Sequence, residues 1–335
     1  MDSSVAALLL KEAGYEVIGV SVLLNPEGGS PNSCCSISSI HIARRVAVKL
    51  GIPFHTLDYS EGFRRDVITY FVEEYRRGRT PNPCLICNRD YKLKALFVFA
   101  KEIGADFVAT GHYVRKAHLS GVPLLRRGPD FRKDQSYFLF RIPREWIERF
   151  LFPVGEMGKE EVRKIALERG LPTARRPESQ DLCFVGKDYR AFLKERGVEG
   201  RKGRFIYRGK VVGYHGGAHN FTVGQRRGLG VSVGRRVYVR AIVGDDVILG
   251  EYGDVMARRI TVRDLNWHFL PGEEFEANVQ VRASSRPGRG RVVVDGDTAR
   301  VLLYDPLFAP APGQGAAFYI GDVLVGGGTI EEYSP

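Results

Sequence analysis

Cysteine is scarce in this sequence, and long apolar runs are missing. The 335 residues include five cysteines, an odd number spread thinly, which argues against a secreted protein stabilised by disulfides. Near the N-terminus the only apolar run, Val5 to Leu10, is followed at once by Lys11 and Glu12. Such a run fits neither a secretory signal nor a membrane-spanning helix. We therefore expect a cytoplasmic protein with no membrane segment.

Acidic residues are outnumbered by basic ones. The sequence has 50 Lys and Arg against 39 Asp and Glu, a formal net charge of +11. A basic surface attracts polyanions such as nucleic acid, although many proteins use the same charge only to remain in solution. The length allows two or three domains, and a hydrophobic content of 44% is typical of globular proteins.

The stretch Arg79 to Tyr91, RTPNPCLICNRDY, places Cys84 and Cys87 three residues apart beside two prolines. The prolines predict a loop, and Asn88 is expected to cap the helix that follows. At a helix start, the backbone dipole and the neighbouring arginines favour the thiolate form of a cysteine. The stretch indicates nucleophilic or metal-ligating thiols. The alternatives are a zinc knuckle, for which the sequence lacks a second pair, and cysteines that only pack in a core.

Helical and strand patterns alternate over the first 110 residues, which predicts a parallel sheet with helices on both faces. Ligand sites in such sheets lie beyond the carboxyl ends of the strands. Thr110, Gly111 and His112 follow a strand predicted to end at Ala109, so we expect them in that crevice. The predicted elements are a helix capped by Ser3 or Ser4, strand 17–24, a helix that ends at Leu50, strand 54–57, helix 61–77, the helix after Cys87 and strand 106–109.

The remainder of the chain changes character. Helices are predicted at 144–150 and 159–169, but from Gly203 onward short β-like runs alternate with Gly, Pro and Asp. This pattern predicts one or two small β-barrels, with breaks near 187–201 and 252–259.

Seven stretches of the sequence resemble the bacterial tRNA-specific 2-thiouridylases, in the same order along the chain. They are PNPCLICN, ATGHYVR, RKDQSYFLF, FPVGEMGKEEVRKIA, ESQDLCFVG, HNFTVGQRRGLG and PGQGAAFYIGDVLVGGGTI. The resemblance implies an α/β fold with three domains. An ATP-pyrophosphatase domain of the adenine-nucleotide alpha-hydrolase type would cover 1–188, a small central β domain 189–257, and a tRNA-contacting β-barrel 258–335.

The resemblance also implies a reaction. Members of the family use ATP with Mg²⁺ to activate the C2 carbonyl of the wobble uridine of tRNA, and a persulfide-bearing donor protein supplies the sulfur. Cys87 is implied as the nucleophile and Cys183 as the persulfide carrier, with one thiol resolving the perthio link as a disulfide. Without the resemblance, Cys183 would be read as a buried core cysteine because Leu182 and Phe184 flank it.

Further site residues are implied one position at a time. The alternative to an ATP contact for Val22 is ordinary packing within a strand. The alternative to a tRNA contact for the Lys and Arg residues is a position on the solvated surface. The implied ATP contacts are Asp2, Ser3, Val22 and Gly111; the implied tRNA contacts are Asn82, Pro83 and Cys84 at the target base, together with His112, Lys133, Asp134, Gln135, Arg282 and Gln314.

Cys84 stands where some members of the family have Asp, which opens a second mechanism. Three thiolates, Cys84, Cys87 and Cys183, could hold three irons of a [4Fe-4S] cluster and leave the fourth iron open to sulfide. We assign no chemical role to Cys34 and Cys35.

The start of the sequence departs from the family's SGGxDS loop, whose backbone amides hold the pyrophosphate of ATP. Met1, Asp2 and Ser3 match its end, without the glycines or the strand before them. One expectation is a tRNA-binding protein that has lost catalysis. The other is a start further upstream, with Met1 standing for a Val encoded by GTG, which an in-frame stop codon directly upstream would refute. An amidotransferase-type ligase is not favoured, because no glutamine-hydrolysing domain is visible.

Overall fold

The computed structural model describes residues 1–26, 35–119, 121–176, 182–186 and 188–335. The chain forms two compact units. The first contains Met1–Ile68, Cys84–Lys187 and Asp322–Leu324, and the second contains Thr69–Pro83, Asp188–Gly321 and Val325–Pro335. The chain therefore enters the second unit at Thr69 and returns to the first unit at Cys84.

The described part of the first unit contains two pairs of parallel strands, one of which is joined through a helix. Its elements include α1 (Asp2–Glu12), β1 (Gly19–Leu23), α2 (Ile37–Leu50), β2 (Phe54–Asp58), β3 (Val108–Ala109), β4 (Val114–Leu119), β5 (Val122–Arg127), β6 (Phe150–Leu151) and α7 (Lys159–Glu168). Strands β1 and β2 pair in parallel with Gly19 opposite Phe54, and β3 pairs in parallel with β6. Helix α2, between β1 and β2, is capped by the side chain of Ser36 and ends at Gly51, whose φ of 61° is left-handed.

Two longer helical segments contain π-helical turns. In the first, α3 (Ser60–Phe63) continues through a π-helical turn, Arg64–Ile68, into α4 (Thr69–Arg76). In the second, α5 (Pro83–Ile86) continues through a π-helical turn, Cys87–Leu93, into α6 (Lys94–Glu102). The prediction that Asn88 caps a helix is therefore wrong. Helical structure already begins at Pro83, because proline fits the first helical position, where no N–H is needed.

In the second unit, residues 189–250 form a short helix and a four-stranded sheet. The elements are α8 (Tyr189–Glu195), β7 (Gly203–Tyr207), β8 (Lys210–His215), β9 (Tyr238–Val243) and β10 (Asp246–Gly250). The strand order is β8-β7-β10-β9, in which only β7 and β10 run parallel. Phe205, Val239 and Val247 are buried in its core.

Six C-terminal strands close into a barrel. The strands are β11 (Met256–Trp267), β12 (Glu274–Gln280), β13 (Gly288–Asp295), β14 (Thr298–Phe308), β15 (Gly315–Ile320) and β16 (Val323–Ser334). Their order is β11-β14-β13-β12-β15-β16, and pairing of β11 with β16 completes the ring. Apolar residues alternate into the interior, including Ile260, Val292 and Val301. The predicted class, α/β with a parallel sheet followed by β domains and a C-terminal barrel, is confirmed.

Within the described ranges, none of the helices combines the length and the apolarity that crossing a membrane requires.

Candidate active site

Cys84 and Cys87 lie on the first turns of the helical segment that begins at Pro83. Both thiols are half-buried, whereas Leu85 and Leu93 are buried. The leucines fix the segment to the core, and the cysteine side chains remain partly accessible. Cys87 opens the π-helical turn, and wide turns of this kind concentrate at functional sites.

Tyr91, one turn after Cys87, ties the π-helical turn to the preceding helix. Its hydroxyl lies 2.7 Å from the carbonyl oxygen of Gly62 and also contacts the carboxylate of Asp66. Burial, and then the hydrogen bond to that carboxylate, raise the pKa of Tyr91 to about 12. Hydrogen bonds from Arg65 and Tyr91 lower the pKa of Asp66 to about 2. At neutral pH the phenol is protonated and the carboxylate is charged, so the contact is a charge-assisted hydrogen bond.

Phe63 is contacted from both segments that carry the predicted catalytic cysteines. Its side chain is 1% exposed, and its ring meets Tyr91 edge to face with 6.0 Å between centroids. Phe184, the neighbour of Cys183, meets the same ring edge to face at 5.7 Å. Such pairs contribute about 0.5–1.5 kcal/mol each beyond the area they bury. One side chain therefore holds both the turn that begins at Cys87 and the segment of Cys183.

The three cysteines do not form a metal site in the part of the chain that the structure describes. No group of three or more His, Cys, Asp or Glu side chains is gathered there in a way that could hold a metal ion. The described positions of Cys84, Cys87 and Cys183 therefore do not fit a [4Fe-4S] cluster, which needs its thiolates around one centre. Cys34, and residues 178–181 of the motif that contains Cys183, lie outside the described residues.

Asp2 begins α1 and is engaged within the first unit. The Nζ atom of Lys159 lies 2.9 Å from both carboxylate oxygens of Asp2, and the Tyr113 hydroxyl donates to Oδ1 at 2.9 Å. Gly111 packs against the same helix start, since a Cβ there would lie 2.4 Å from the backbone nitrogen of Ser3. Ser3 itself is exposed. Asp2 thus holds the start of α1 in place, and the exposed Ser3 lies beside the backbone of Gly111.

Two other predicted contact residues, Val22 and His112, are buried. Val22 is 6% exposed and lies in β1 opposite Leu57. His112 is 7% exposed, and its Nδ1 lies 2.9 Å from the hydroxyl of Thr110. Val22 lies within its predicted strand and His112 just beyond the strand that ends at Ala109, and both side chains are buried.

The segment that contains Lys133, Asp134 and Gln135 is also held internally. The Asp134 side chain is 2% exposed and accepts hydrogen bonds from Arg127 at 2.8 Å and from the hydroxyl of Ser136 at 2.8 Å. The Gln135 side-chain oxygen accepts the backbone N–H of Tyr113 at 3.0 Å. Lys133 is half-buried. Among these three residues, Lys133 is the one with a cationic side chain.

Arg282 likewise binds backbone. Its guanidinium donates to the carbonyl oxygens of Val223 and Ala309, each at 2.9 Å. This residue therefore joins loops of the second unit, a role that sequence alone did not indicate.

Gln314 takes part in a clamp on the chain just before the cysteine pair. Its amide donates to the carbonyl oxygens of Thr80 at 3.1 Å and Pro81 at 3.3 Å, and the Thr80 N–H donates to Pro312 at 2.8 Å. One residue earlier, Nε of Arg79 lies 2.8 Å from the carboxylate of Glu74, whose side chain is 8% exposed.

The other end of the Arg79 guanidinium binds Glu331 at 3.0 Å. Burial opposes the charge on this guanidinium, but the hydrogen bond to Glu331 and the charge of Glu74 raise the pKa of Arg79 above its ordinary value. We call Glu74, Arg79, Gln314 and Glu331 the entry clamp. All four residues lie in the second unit, as do Asn82 and Pro83, which follow the clamped segment.

Sequence reasoning missed Phe63, Tyr91 and the entry clamp. For the two aromatic contacts a local signal existed, because Tyr91 follows Cys87 by one helical turn and Phe184 is adjacent to Cys183. For the contacts that Gln314 and Glu331 make in the clamp no local signal exists, since each joins residues more than 200 positions apart.

Known family profiles cover most of the chain. The profile described as "tRNA methyl transferase HUP domain" matches residues 1–187, "tRNA methyl transferase PRC-barrel domain" matches 190–249, and "Aminomethyltransferase beta-barrel domain" matches 257–330.

Whole-length relatives carry a different name. The tRNA-specific 2-thiouridylase MnmA of Carboxydothermus hydrogenoformans is 44% identical, over 99% of this chain and 95% of the relative. The proteins of the same name from Moorella thermoacetica and Thermus thermophilus are 43% and 46% identical, over 99% and 98% of this chain and 97% and 92% of the relatives. The chain belongs to the tRNA-specific 2-thiouridylase family.

Proposed function

We propose that the protein is a tRNA-uridine 2-sulfurtransferase that replaces the C2 oxygen of the wobble uridine, U34, with sulfur. The observation that carries this proposal is the likeness, along nearly the whole chain, to relatives named tRNA-specific 2-thiouridylase. The profile names mention methyl transfer, but the two cysteine-bearing segments that meet on Phe63 favour sulfur chemistry. The net charge of +11 suits a tRNA substrate.

The carbonyl oxygen must be activated before sulfur can replace it. The C2 oxygen attacks the α-phosphorus of ATP, which is bound with Mg²⁺, and pyrophosphate leaves. The resulting C2–O–AMP group is a better leaving group than the original oxygen. Ser3 and the backbone of Gly111 are the proposed contacts for the nucleotide phosphates, and Asp2 and Val22 support them through the placement of α1 and β1.

Sulfur transfer then uses both cysteines. A persulfide-bearing donor protein passes its terminal sulfur to Cys183 and keeps a thiol. The Cys183 persulfide anion attacks C2, and AMP leaves with the electron pair of the broken C–O bond. The Cys87 thiolate next attacks Sγ of Cys183, which breaks the perthio bond and releases 2-thiouridine. A dithiol reductant returns the Cys87–Cys183 disulfide to two thiols with two electrons and two protons.

The proposed tRNA surface combines direct and indirect contributors. Asn82, Pro83 and Cys84 precede Cys87 and are proposed to meet the target base, which must leave its stack to reach a thiol. The proposed phosphate contact is Lys133. The remaining implied residues shape the surface from within, because their side chains bind other parts of the protein: His112, Asp134, Gln135, Arg282 and Gln314.

A reconstituted reaction tests the proposal. Purified protein, unmodified tRNA, ATP, a persulfide donor and a dithiol should yield 2-thiouridine at U34, with one AMP and one pyrophosphate per sulfur incorporated. Nucleoside mass spectrometry distinguishes this product from a methylated base. A methylated product, or sulfur incorporation without ATP consumption, would contradict the proposal.

A further inference from the structure

Phe63 occupies the edge of the first unit where a site is expected. β2 ends at Asp58, whose carboxylate accepts the backbone N–H of Ser60 at 2.9 Å, and α3 starts there. The Tyr59 N–H donates to the carbonyl of Leu23, the last residue of β1. Phe63 therefore lies one helical turn beyond the carboxyl ends of two neighbouring parallel strands, which is the position of ligand sites in such sheets.

The contacts of Phe63 are directional. Tyr91 approaches its ring at an interplanar angle of 89°, and Phe184 approaches at 70°. Tyr91 is further fixed by its hydroxyl contacts to Gly62 and Asp66. The absence of a side chain at Gly62 lets Tyr91 pack closely, since a Cβ there would lie 3.0 Å from the Tyr91 ring, a tight contact.

Phe184 is the contact from the other side. It is 5% exposed and follows Cys183 directly. Its contact with the Phe63 ring therefore limits the positions that the Cys183 backbone can adopt. Tyr91 restricts the π-helical turn that begins at Cys87 in the same way. A flexible side chain at position 63 would not hold the two segments in fixed positions.

We propose that Phe63 is a positioning residue for the two-cysteine chemistry: its ring holds the Cys183 segment in register with the turn that begins at Cys87, so that the two thiols meet. This inference rests on the proposed function for its purpose, but the encounter of the two thiols can be measured without tRNA or ATP.

The test is the rate at which Cys87 and Cys183 form a disulfide. Diamide takes two electrons and two protons from the thiol pair, and peptide mass spectrometry of the full chain follows the product. We expect Phe63→Leu and Phe184→Leu each to slow the reaction at least about tenfold, because a misplacement of reacting groups by about 1 Å can cost about a hundredfold in rate. The double variant should be no slower than Phe63→Leu, because Phe63→Leu already removes the contact with Phe184.

Two controls separate positioning from a general loss of structure. Phe205, in strand β7 of the four-stranded sheet, is also 1% exposed, and its ring has two edge-to-face contacts at 4.8 and 5.0 Å. Phe205→Leu therefore removes a comparable ring outside both cysteine segments. It should leave the rate of disulfide formation unchanged. The reactivity of each thiol toward iodoacetamide should also stay unchanged in all variants. If Phe63→Leu does not fold, Phe184→Leu carries the test alone.

Disulfide rates in Phe63→Leu and Phe184→Leu equal to that of Phe205→Leu would overturn the inference, even if the protein thiolates tRNA. A slowed disulfide in a protein that never thiolates tRNA would leave the inference standing and count against the proposed function.

Discussion

In the Cys87→Ser variant we expect single-turnover formation of 2-thiouridine to fall by a factor of at least about 10³, the scale of loss when a nucleophile is removed. The persulfide on Cys183 can still attack C2 in this variant, but the thiolate that is proposed to break the perthio bond is missing. The tRNA should therefore stay attached to Cys183 until a dithiol is added. Measurement requires persulfide-loaded protein, tRNA and ATP without added thiol, followed by mass spectrometry of both products.

In Cys183→Ser the formation of 2-thiouridine should fall to the same extent. No tRNA should become attached to this variant, because it cannot carry the sulfur. Both variants should bind tRNA with nearly unchanged affinity, since neither thiol contacts phosphate. Cys35→Ala is a suitable control, because Cys35 is buried outside both cysteine segments. Substantial turnover by either serine variant would refute the assignment of the two cysteines.

Arg79→Ala should have the largest effect on stability, with a loss of about 3 kcal/mol in the free energy of unfolding. The substitution removes the closest cation from Glu74, a carboxylate that is only 8% exposed, and leaves it facing Arg77 at 3.5 Å. It also releases Glu331 of the entry clamp. Because the clamped segment leads directly to Asn82, Pro83 and Cys84, thiolation should fall as well. Urea denaturation reports the first effect.

Arg76→Ala provides the matched control. Arg76 also pairs with a glutamate on the same helix, Glu73, but both side chains are more than 40% exposed, so the loss should stay below about 1 kcal/mol. In the double variant Arg79→Ala with Glu74→Gln, much of the lost stability should return, because no buried carboxylate is left with only the exposed Arg77 beside it. Equal losses from Arg79→Ala and Arg76→Ala would show that the clamp does not hold the segment.

Much of the fold follows from local patterns. Alternation of apolar and polar residues predicts the barrel strands, and the apolar strands joined by helices predict the parallel pairs. Strand β3 ends at Ala109, as predicted, and Gly111 follows it. Helix α8 (Tyr189–Glu195) was not predicted, because seven residues with dense charge give little periodicity. The error at Asn88 arose because a capping rule is local, whereas the helical segment was set by Pro83 and the buried leucines.

The site is harder to predict, because the role of a polar side chain depends on its burial. Asp134, Arg282 and Gln314 were expected to contact tRNA, yet each binds another part of the protein. Gln314 meets Thr80 across 234 positions of sequence, so no local pattern reveals the contact. Local sequence singled out the pair Cys84 and Cys87, but the choice of Cys87 as the nucleophile and of Cys183 as its partner came only through the resemblance to a family. Their common anchor on Phe63 depends on tertiary packing, which periodicity does not encode.

The most direct test of the central claim is the amount of 2-thiouridine at the wobble position of tRNA from cells with and without this gene. Nucleoside mass spectrometry of tRNA from the deletion strain should show loss of 2-thiouridine at U34, and expression of the wild-type chain, but not of Cys87→Ser, should restore it. Unchanged 2-thiouridine in the deletion strain would contradict the account.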